Sequence, residues 1–249
     1  MIPKIIHFCW LSGDPYPEII IKCLDSWKKI LPDYEIKLWD TKTFDIQSTK
    51  WTAQAFEMKK YAFASDYIRF YALYNYGGIY LDSDVEVLKS FDDFLHNKWF
   101  FGYEYTGSPE AAIVGAEKGQ VWINQCMKWY ENKEFVDYYG KETIIAPLVL
   151  QSGFERTISY KLIDDEKEHF FEGGCILPYS FFSPKNGFNG DIKVTNDTYA
   201  IHHFNTAWLN TNTVSIKIKK TIHMLLIKFL GKKRYNKVMY LTRKRLHKV

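Results

Sequence analysis

A chain of 249 residues with 33 Lys and Arg against 29 Asp and Glu, a formal net charge of +4 and an aromatic share of 18% has the size and make-up of one large globular domain. Its four cysteines, Cys9, Cys23, Cys126 and Cys175, are scattered and form no C-x-x-C pair. That excludes a zinc ribbon or a disulfide scaffold and points to a reducing compartment. The opening apolar run is too short for a signal-peptide core, and no uncharged run reaches the length of a membrane span. A cytoplasmic protein, or one held on a membrane from its cytoplasmic face, is expected.

In chain order, Lys4–Trp10 (KIIHFCW) reads as a first strand. Pro17–Leu31 places Ile20, Leu24, Trp27 and Leu31 at helical spacing and is closed by Pro32-Asp33. Tyr34–Trp39 alternates like a strand, and Ala53–Tyr76 is the longest helical candidate, stopped by Gly77. Gly77-Gly78 turns the chain into Ile79-Tyr80-Leu81, a short buried strand that runs into Asp82-Ser83-Asp84. Lys98–Tyr105 and Ala111–Ala116 read as further strands, Val121–Tyr130 and Ile145–Tyr160 as helices, and Cys175–Pro184 and Tyr199–Phe204 as late strands or loops. Strands alternate with helices up to about Leu81 and mixed strands follow, so the fold class is α/β, a sandwich built on a single sheet.

From Thr213 onward the chain carries 12 of the 33 basic residues and none of the acidic ones, which leaves the rest with 21 basic against 29 acidic. The division is a mildly acidic body, 1–212, and a basic tail, 213–249. In the tail Ile218, Ile222, Leu225, Leu226 and Phe229 recur on one helical face, Gly231 ends that helix, and Tyr235, Val238, Met239, Thr242 and Leu246 begin a second stripe among Lys and Arg. Basic amphipathic helices of this type lie in the interface of anionic membranes, so an anionic membrane surface is an expected partner. Packing of the first stripe on the body is the other reading.

Three constellations carry chemistry. Asp82 and Asp84 lie one residue apart, so in an extended chain their carboxylates share a face and repel unless a cation or donor stands between them. Val87 sits where a calcium loop needs its Gly, so the pair is not an EF-hand. A lone Asp-x-Asp is usually a solvated turn, but this one ends a buried strand at the sheet edge where open α/β sheets bind ligands. Hard oxygen ligands there select Mg²⁺ or Mn²⁺, suited to neutralising a diphosphate leaving group. The second constellation is Asp66 and Arg69, at i and i+3 on the long helix. They form either an ordinary surface ion pair or, given Phe63, Tyr67, Phe70 and Tyr74 beside them, a buried pair lining a pocket. The third is His202–Trp208 (HHFNTAW), in which paired histidines are often packing, yet His203 and Thr206 offer nitrogen and oxygen donors near a Trp.

Taken together with the N-terminal IPKIIHFCWLSG, these elements, and FASDYIRFYALYNYGGIYLDSDVEV above all, are those of the family 32 glycosyltransferases. The chain resembles that DXD sugar-binding group from Ile2 to Trp208, and more distantly the catalytic domains of large glucosylating toxins. The resemblance implies a GT-A-type fold, a nucleotide-diphosphate sugar donor (a UDP-hexose foremost), Mn²⁺ or Mg²⁺, and retention of anomeric configuration. It places Trp10 on the nucleobase, Asp66 and Arg69 on sugar hydroxyls, and Tyr80 with Asp82 on ribose or sugar. Asp84 would ligate the metal, and His203 and Thr206 fall where toxin-like relatives have metal ligands. Trp208 would close over the diphosphate. Many relatives carry Ser where this chain has Thr206-Ala207. The acceptor implied is a saccharide, lipid-linked among the bacterial relatives, and the setting is surface polysaccharide synthesis. A metal-dependent phosphohydrolase or nuclease could use Asp82 and Asp84, but two-metal sites need more Asp and His ligands than cluster here. Binding of nucleic acid by the tail is opposed by the acidic body and the lack of any binding motif.

Overall fold

The computed structural model describes residues 1–131, 133–138, 145–162, 167–171, 173–205 and 214–247. The elements in chain order are β1 (Ile5–Cys9), α1 (Glu18–Ile30), β2 (Glu35–Trp39), α2 (Lys50–Glu57), α3 (Tyr61–Tyr76), β3 (Gly78–Leu81), β4 (Val85–Val87), β5 (Trp99–Tyr103) and β6 (Pro109–Ala116). They continue with α4 (Val121–Glu131), α5 (Ala146–Thr157), β7 (His169–Phe171), β8 (Gly174–Leu177), α6 (Tyr179–Phe182), β9 (Ala200–His202), α7 (Val214–Leu230) and α8 (Lys232–His247).

Seven strands form one mixed sheet in the order β2-β1-β3-β6-β5-β8-β7. β1 runs parallel to both β2 and β3, and the sheet turns antiparallel at the β3–β6 pair. Alternation along the central strands feeds two cores. Tyr80, Trp99 and Phe101 face a core shared with α2 to α5, whereas Ile79, Leu81 and Phe100 face one shared with α1 and α6. Helices cover both faces, and the α/β sandwich with one mixed sheet is the class expected from the sequence. A separate two-stranded ribbon pairs β4 with β9 antiparallel, Val85 opposite His202. It is pinned to α1 by the Trp27 indole N–H, which donates to the Val85 carbonyl at 2.7 Å.

The long helix expected over Ala53–Tyr76 is two helices. Lys59 has φ 57°, and the Lys60 and Lys59 N–H groups donate to the Ala55 and Phe56 carbonyls, a left-handed C-terminal cap that ends α2 and lets α3 start in a new direction. Nothing but Lys stands where such caps usually have Gly, which is why the break is hidden in the sequence. In α3 every residue from Ala64 to Phe70 is buried, so this helix runs through the core and has no solvated face for its charges. After it, Gly77 (φ 69°) and Gly78 (φ 106°) make the turn into β3. A Cβ on Gly78 would lie 2.6 Å from the Ile5 carbonyl oxygen. The short strands β4 and β7 carry no distinct sequence signal, and the late segments resolve into β8, α6 and β9.

The tail forms two helices hinged at Gly231 (φ 76°). α8 docks on the body: Tyr235, Asn236 and Tyr240 are buried, the Tyr240 hydroxyl donates to Glu155 at 3.2 Å, and Lys232 lies over the Tyr179 ring at 3.5 Å, while α7 touches the body through His223, stacked on Phe188 at 5.5 Å. The apolar face of α7 points outward instead. Ile218, Ile222, Leu225, Leu226 and Phe229 are exposed, from 41% at Leu226 to 88% at Phe229. Among the described residues no helix is long and apolar enough to cross a membrane.

Candidate active site

The parallel register of β1 and β3, with His7 opposite Tyr80, brings their C-terminal ends to one edge of the sheet. Trp10 leaves β1 there and Asp82 leaves β3. The Asp82 N–H donates to the Ala112 carbonyl at 2.9 Å and its own carbonyl accepts from Val85 N–H at 3.0 Å, a tight turn that delivers Asp84 beside it. Trp10 is half-buried, with its indole N–H on the Asp14 carbonyl at 2.8 Å and its ring edge-on to Tyr16 at 4.9 Å.

Arg69 reaches this edge from α3. Its Nη2 lies 2.8 Å from Asp66 Oδ1 and 3.3 Å from Asp82 Oδ1, and its Nη1 donates to the Ala111 carbonyl at 2.7 Å. The guanidinium rests 4.7 Å from the centre of the Tyr80 ring, and the Tyr80 hydroxyl donates to Asp82 at 3.0 Å. Asp66 and Arg69 are 7% and 4% exposed, which rules out the surface ion pair. Burial pushes the Asp66 carboxyl up to about 7; Arg69 opposes that shift and the nearby Asp82 carboxylate adds to it. One guanidinium thus serves two carboxylates.

Asp82, Asp84 and His202 converge, each offering a ligand atom within 4.8 Å of the others. His202 Nε2 lies 3.6 Å from Asp84 Oδ1, its Nδ1 lies 3.3 Å from Glu110 Oε2, and the other oxygen of Asp84 accepts the Asn205 N–H at 2.6 Å. Burial alone would lower the His202 pKa, but the carboxylates of Glu110, Asp84 and Asp82 outweigh it and push it up to about 10. The repulsion implicit in Asp-x-Asp is met by Arg69 on the Asp82 side, and the His202 imidazole faces Asp84 on the other. Two carboxylates and an imidazole form a donor set that fits a divalent ion such as Mn²⁺ or Mg²⁺.

Of the two adjacent histidines, it is the His202 side chain that lies beside Asp82 and Asp84. His203, expected beside Asp84, turns its Nε2 to Glu86 at 2.9 Å, and Glu86 is also paired with Lys22 at 2.8 Å. Neighbours in an extended chain point to opposite faces, and it is His202 whose face meets the carboxylates. Asp66, Arg69, Tyr80, Asp82 and Asp84 are brought together, and Trp10 stands at the same edge. Thr206 and Trp208 lie outside the described residues. Glu110 escaped the sequence reading. Its one available signal was an acid directly before the apolar run Ala111–Ala116.

Asp82, Asp84 and His202 thus gather at one edge of the α/β sandwich, with the buried Asp66–Arg69 pair behind them. Residues 17–101 match the family described as "Glycosyltransferase sugar-binding region containing DXD motif", which is the group that the sequence resembles. Among curated relatives, "Inositol phosphoceramide mannosyltransferase 3" of Schizosaccharomyces pombe is 30% identical over 51% of this chain and 36% of its own length. "Mannosyl phosphorylinositol ceramide synthase CSH1" of Saccharomyces cerevisiae is 34% identical over 38% of this chain and 26% of its own. The matches thus span about a third or less of those relatives. Among solved structures, the PaToxG glycosyltransferase superposes with a TM-score of 0.48 at 20% identity, over 64% of this chain and 70% of that one. Galactosyltransferase LgtC does so with a TM-score of 0.41 at 14% identity, over 88% of this chain and 94% of that one.

Proposed function

We propose that the protein is a metal-dependent, retaining glycosyltransferase that moves a hexose from a nucleotide-diphosphate sugar, UDP-linked in our reading, to a saccharide or lipid-linked acceptor in surface polysaccharide synthesis. The observation that carries this is the meeting of Asp82, Asp84 and His202 at the sheet edge, directly beside the buried Asp66–Arg69 pair. A bound divalent cation would be held by those three residues and would offset the charge of the departing diphosphate. Asp66 and Arg69, fixed by burial and by each other, present a rigid hydrogen-bond acceptor and donor to sugar hydroxyls. Tyr80 holds Asp82 in place, and Trp10 offers a ring for the nucleobase. Positioned groups of this kind act by preorganisation, because they need not reorient as charge develops. With no side chain among the described residues of the site standing out as a nucleophile, same-face attack with the diphosphate oxygen as base is the route we favour.

A lipid acceptor is supported by the names of the relatives, which refer to inositol phosphoceramide and mannosyl phosphorylinositol ceramide. It is supported also by the outward apolar face of α7, beside which Lys228, Lys233, Arg234 and Lys237 are exposed. A face of that make-up suits peripheral attachment to the cytoplasmic side of an anionic membrane. The test of the transfer reading is a panel of UDP- and GDP-linked hexoses, glucosyl, galactosyl and mannosyl, incubated with the protein and Mn²⁺ or Mg²⁺. Metal-dependent hydrolysis of at least one donor is expected, and metal-dependent release of phosphate from simple phosphate esters with no turnover of any nucleotide sugar would favour a phosphohydrolase instead.

A further inference from the structure

Pairing between β5 and β6 slips at one place: Phe101 lies opposite Val114, but Gly102 lies opposite Glu110, so Ala111–Ile113 have no partner on β5. Bulges of this kind re-aim the groups around them. Here the freed stretch turns to the site. The Ala111 carbonyl accepts from Arg69 at 2.7 Å, and the Ala112 carbonyl accepts from the Asp82 N–H at 2.9 Å. Glu110 itself is 1% exposed. Its Oε1 accepts the Ala112 N–H at 2.9 Å, and its Oε2 accepts the hydroxyl of the fully buried Ser183 and faces His202 Nδ1 at 3.3 Å. The Phe204 ring, 3.9 Å from that of His202, closes the other side.

A carboxylate buried this deeply is costly to keep unless its partners make use of it. We infer that Glu110 is a positioning residue: it holds the His202 ring by Nδ1 so that Nε2 is aimed at Asp84 and Asp82, completing the cation site. The inference rests on the reading of Asp82, Asp84 and His202 as that site. It assigns a task to Glu110, to Ser183 that orients it, and to the bulge that places both beside Arg69 and Asp82. A ligating His held through its other ring nitrogen by a carboxylate is a recurrent means of fixing orientation, and loss of such a partner weakens metal binding by about 10- to 100-fold.

The test is titration of the full-length protein with Mn²⁺ alone, followed by free-Mn²⁺ electron paramagnetic resonance, for wild type, Asp84→Asn, His202→Asn, Glu110→Gln and the double variant Glu110→Gln/His202→Asn. Glu110→Gln should bind Mn²⁺ about 10- to 100-fold more weakly than wild type, with an unchanged circular dichroism spectrum. In the His202→Asn background the same substitution should cost nothing further, because Glu110 acts through His202. Should Glu110→Gln not fold, Ser183→Ala removes one of the donors that orient Glu110 and should give a smaller loss, again absent in the His202→Asn background. Wild-type affinity in Glu110→Gln, or an equal loss with and without His202, overturns the role of Glu110 while leaving the site. If wild type binds no Mn²⁺, or Asp84→Asn binds it as wild type does, the site reading falls and the inference with it.

Discussion

At the scale of single residues, the arrangement turns on Arg69. It is buried, carries the one guanidinium between Asp66 and Asp82, and stacks on Tyr80. Arg69→Met should destabilise the protein by about 3–5 kcal/mol, since two carboxylates lose their shared partner in a buried setting; urea unfolding measures this. Asp66→Asn is a different experiment, because Arg69 keeps Asp82 as a counter-charge. Its stability should change little, whereas transfer should fall by about 2–4 kcal/mol of transition-state stabilisation, the usual cost of losing one preorganised polar contact. Normal kinetics in Asp66→Asn would show the pair to be part of the core alone. These residues were legible in the sequence because their spacing and aromatic company distinguish them. Which of two adjacent histidines joins them was not, since HH carries no mark of strand phase until β9 is paired with β4.

At the scale of elements, two junctions set the site's geometry, the α2–α3 break and the β1–α3–β3 corner. In the first, Lys59 adopts a left-handed conformation that costs a side-chain-bearing residue roughly 1–2 kcal/mol. Lys59→Gly should therefore raise the unfolding free energy by about 0.5–1 kcal/mol, once the greater freedom of Gly in the unfolded chain is subtracted. In the second, His7 is fully buried, accepts the Trp39 indole N–H at Nδ1 (3.1 Å) and lies 2.7 Å from the Gly77 carbonyl at Nε2, tying β1, β2 and the glycine turn together. Burial lowers its pKa to about 4, against the partial opposition of the Gly77 hydrogen bond. A base whose folded pKa is depressed keeps its full stability above the unfolded value near 6.5 and loses it as pH falls from there toward 4. That loss amounts to roughly 3 kcal/mol. Unfolding measured at pH 7, 5 and 4 should show this extra loss in wild type and not in His7→Asn. Strands and helices with clear periodicity were legible from sequence, whereas the break at Lys59 was not, because a tertiary cap there overrides the helical pattern of the residues on both sides.

At the scale of the whole molecule, the acidic body and basic tail seen in the composition correspond to a site on one part of the fold and an apolar, cation-flanked helix on another. The sequence pattern showed both tail stripes but not which one docks; burial of Tyr235, Asn236 and Tyr240 on the body settles that contact for α8, and the apolar face of α7 is left facing outward. If α7 meets lipid, Ile222→Glu/Phe229→Glu should abolish co-sedimentation with phosphatidylserine vesicles at low salt and leave donor hydrolysis in solution unchanged. Raising salt should release the wild-type protein, since each cation near the surface contributes roughly 1 kcal/mol that is screened over a Debye length. Equal sedimentation of the variant would place the contact elsewhere. The proposal that this chain transfers a sugar from a nucleotide donor is tested most directly by calorimetric titration of donor sugars into wild type and Asp84→Asn, with and without Mn²⁺. The expected result is binding of at least one nucleotide sugar by wild type with Mn²⁺ only, and its loss in Asp84→Asn. Binding by the variant equal to that of wild type, or no binding of any nucleotide sugar with metal present, would contradict it.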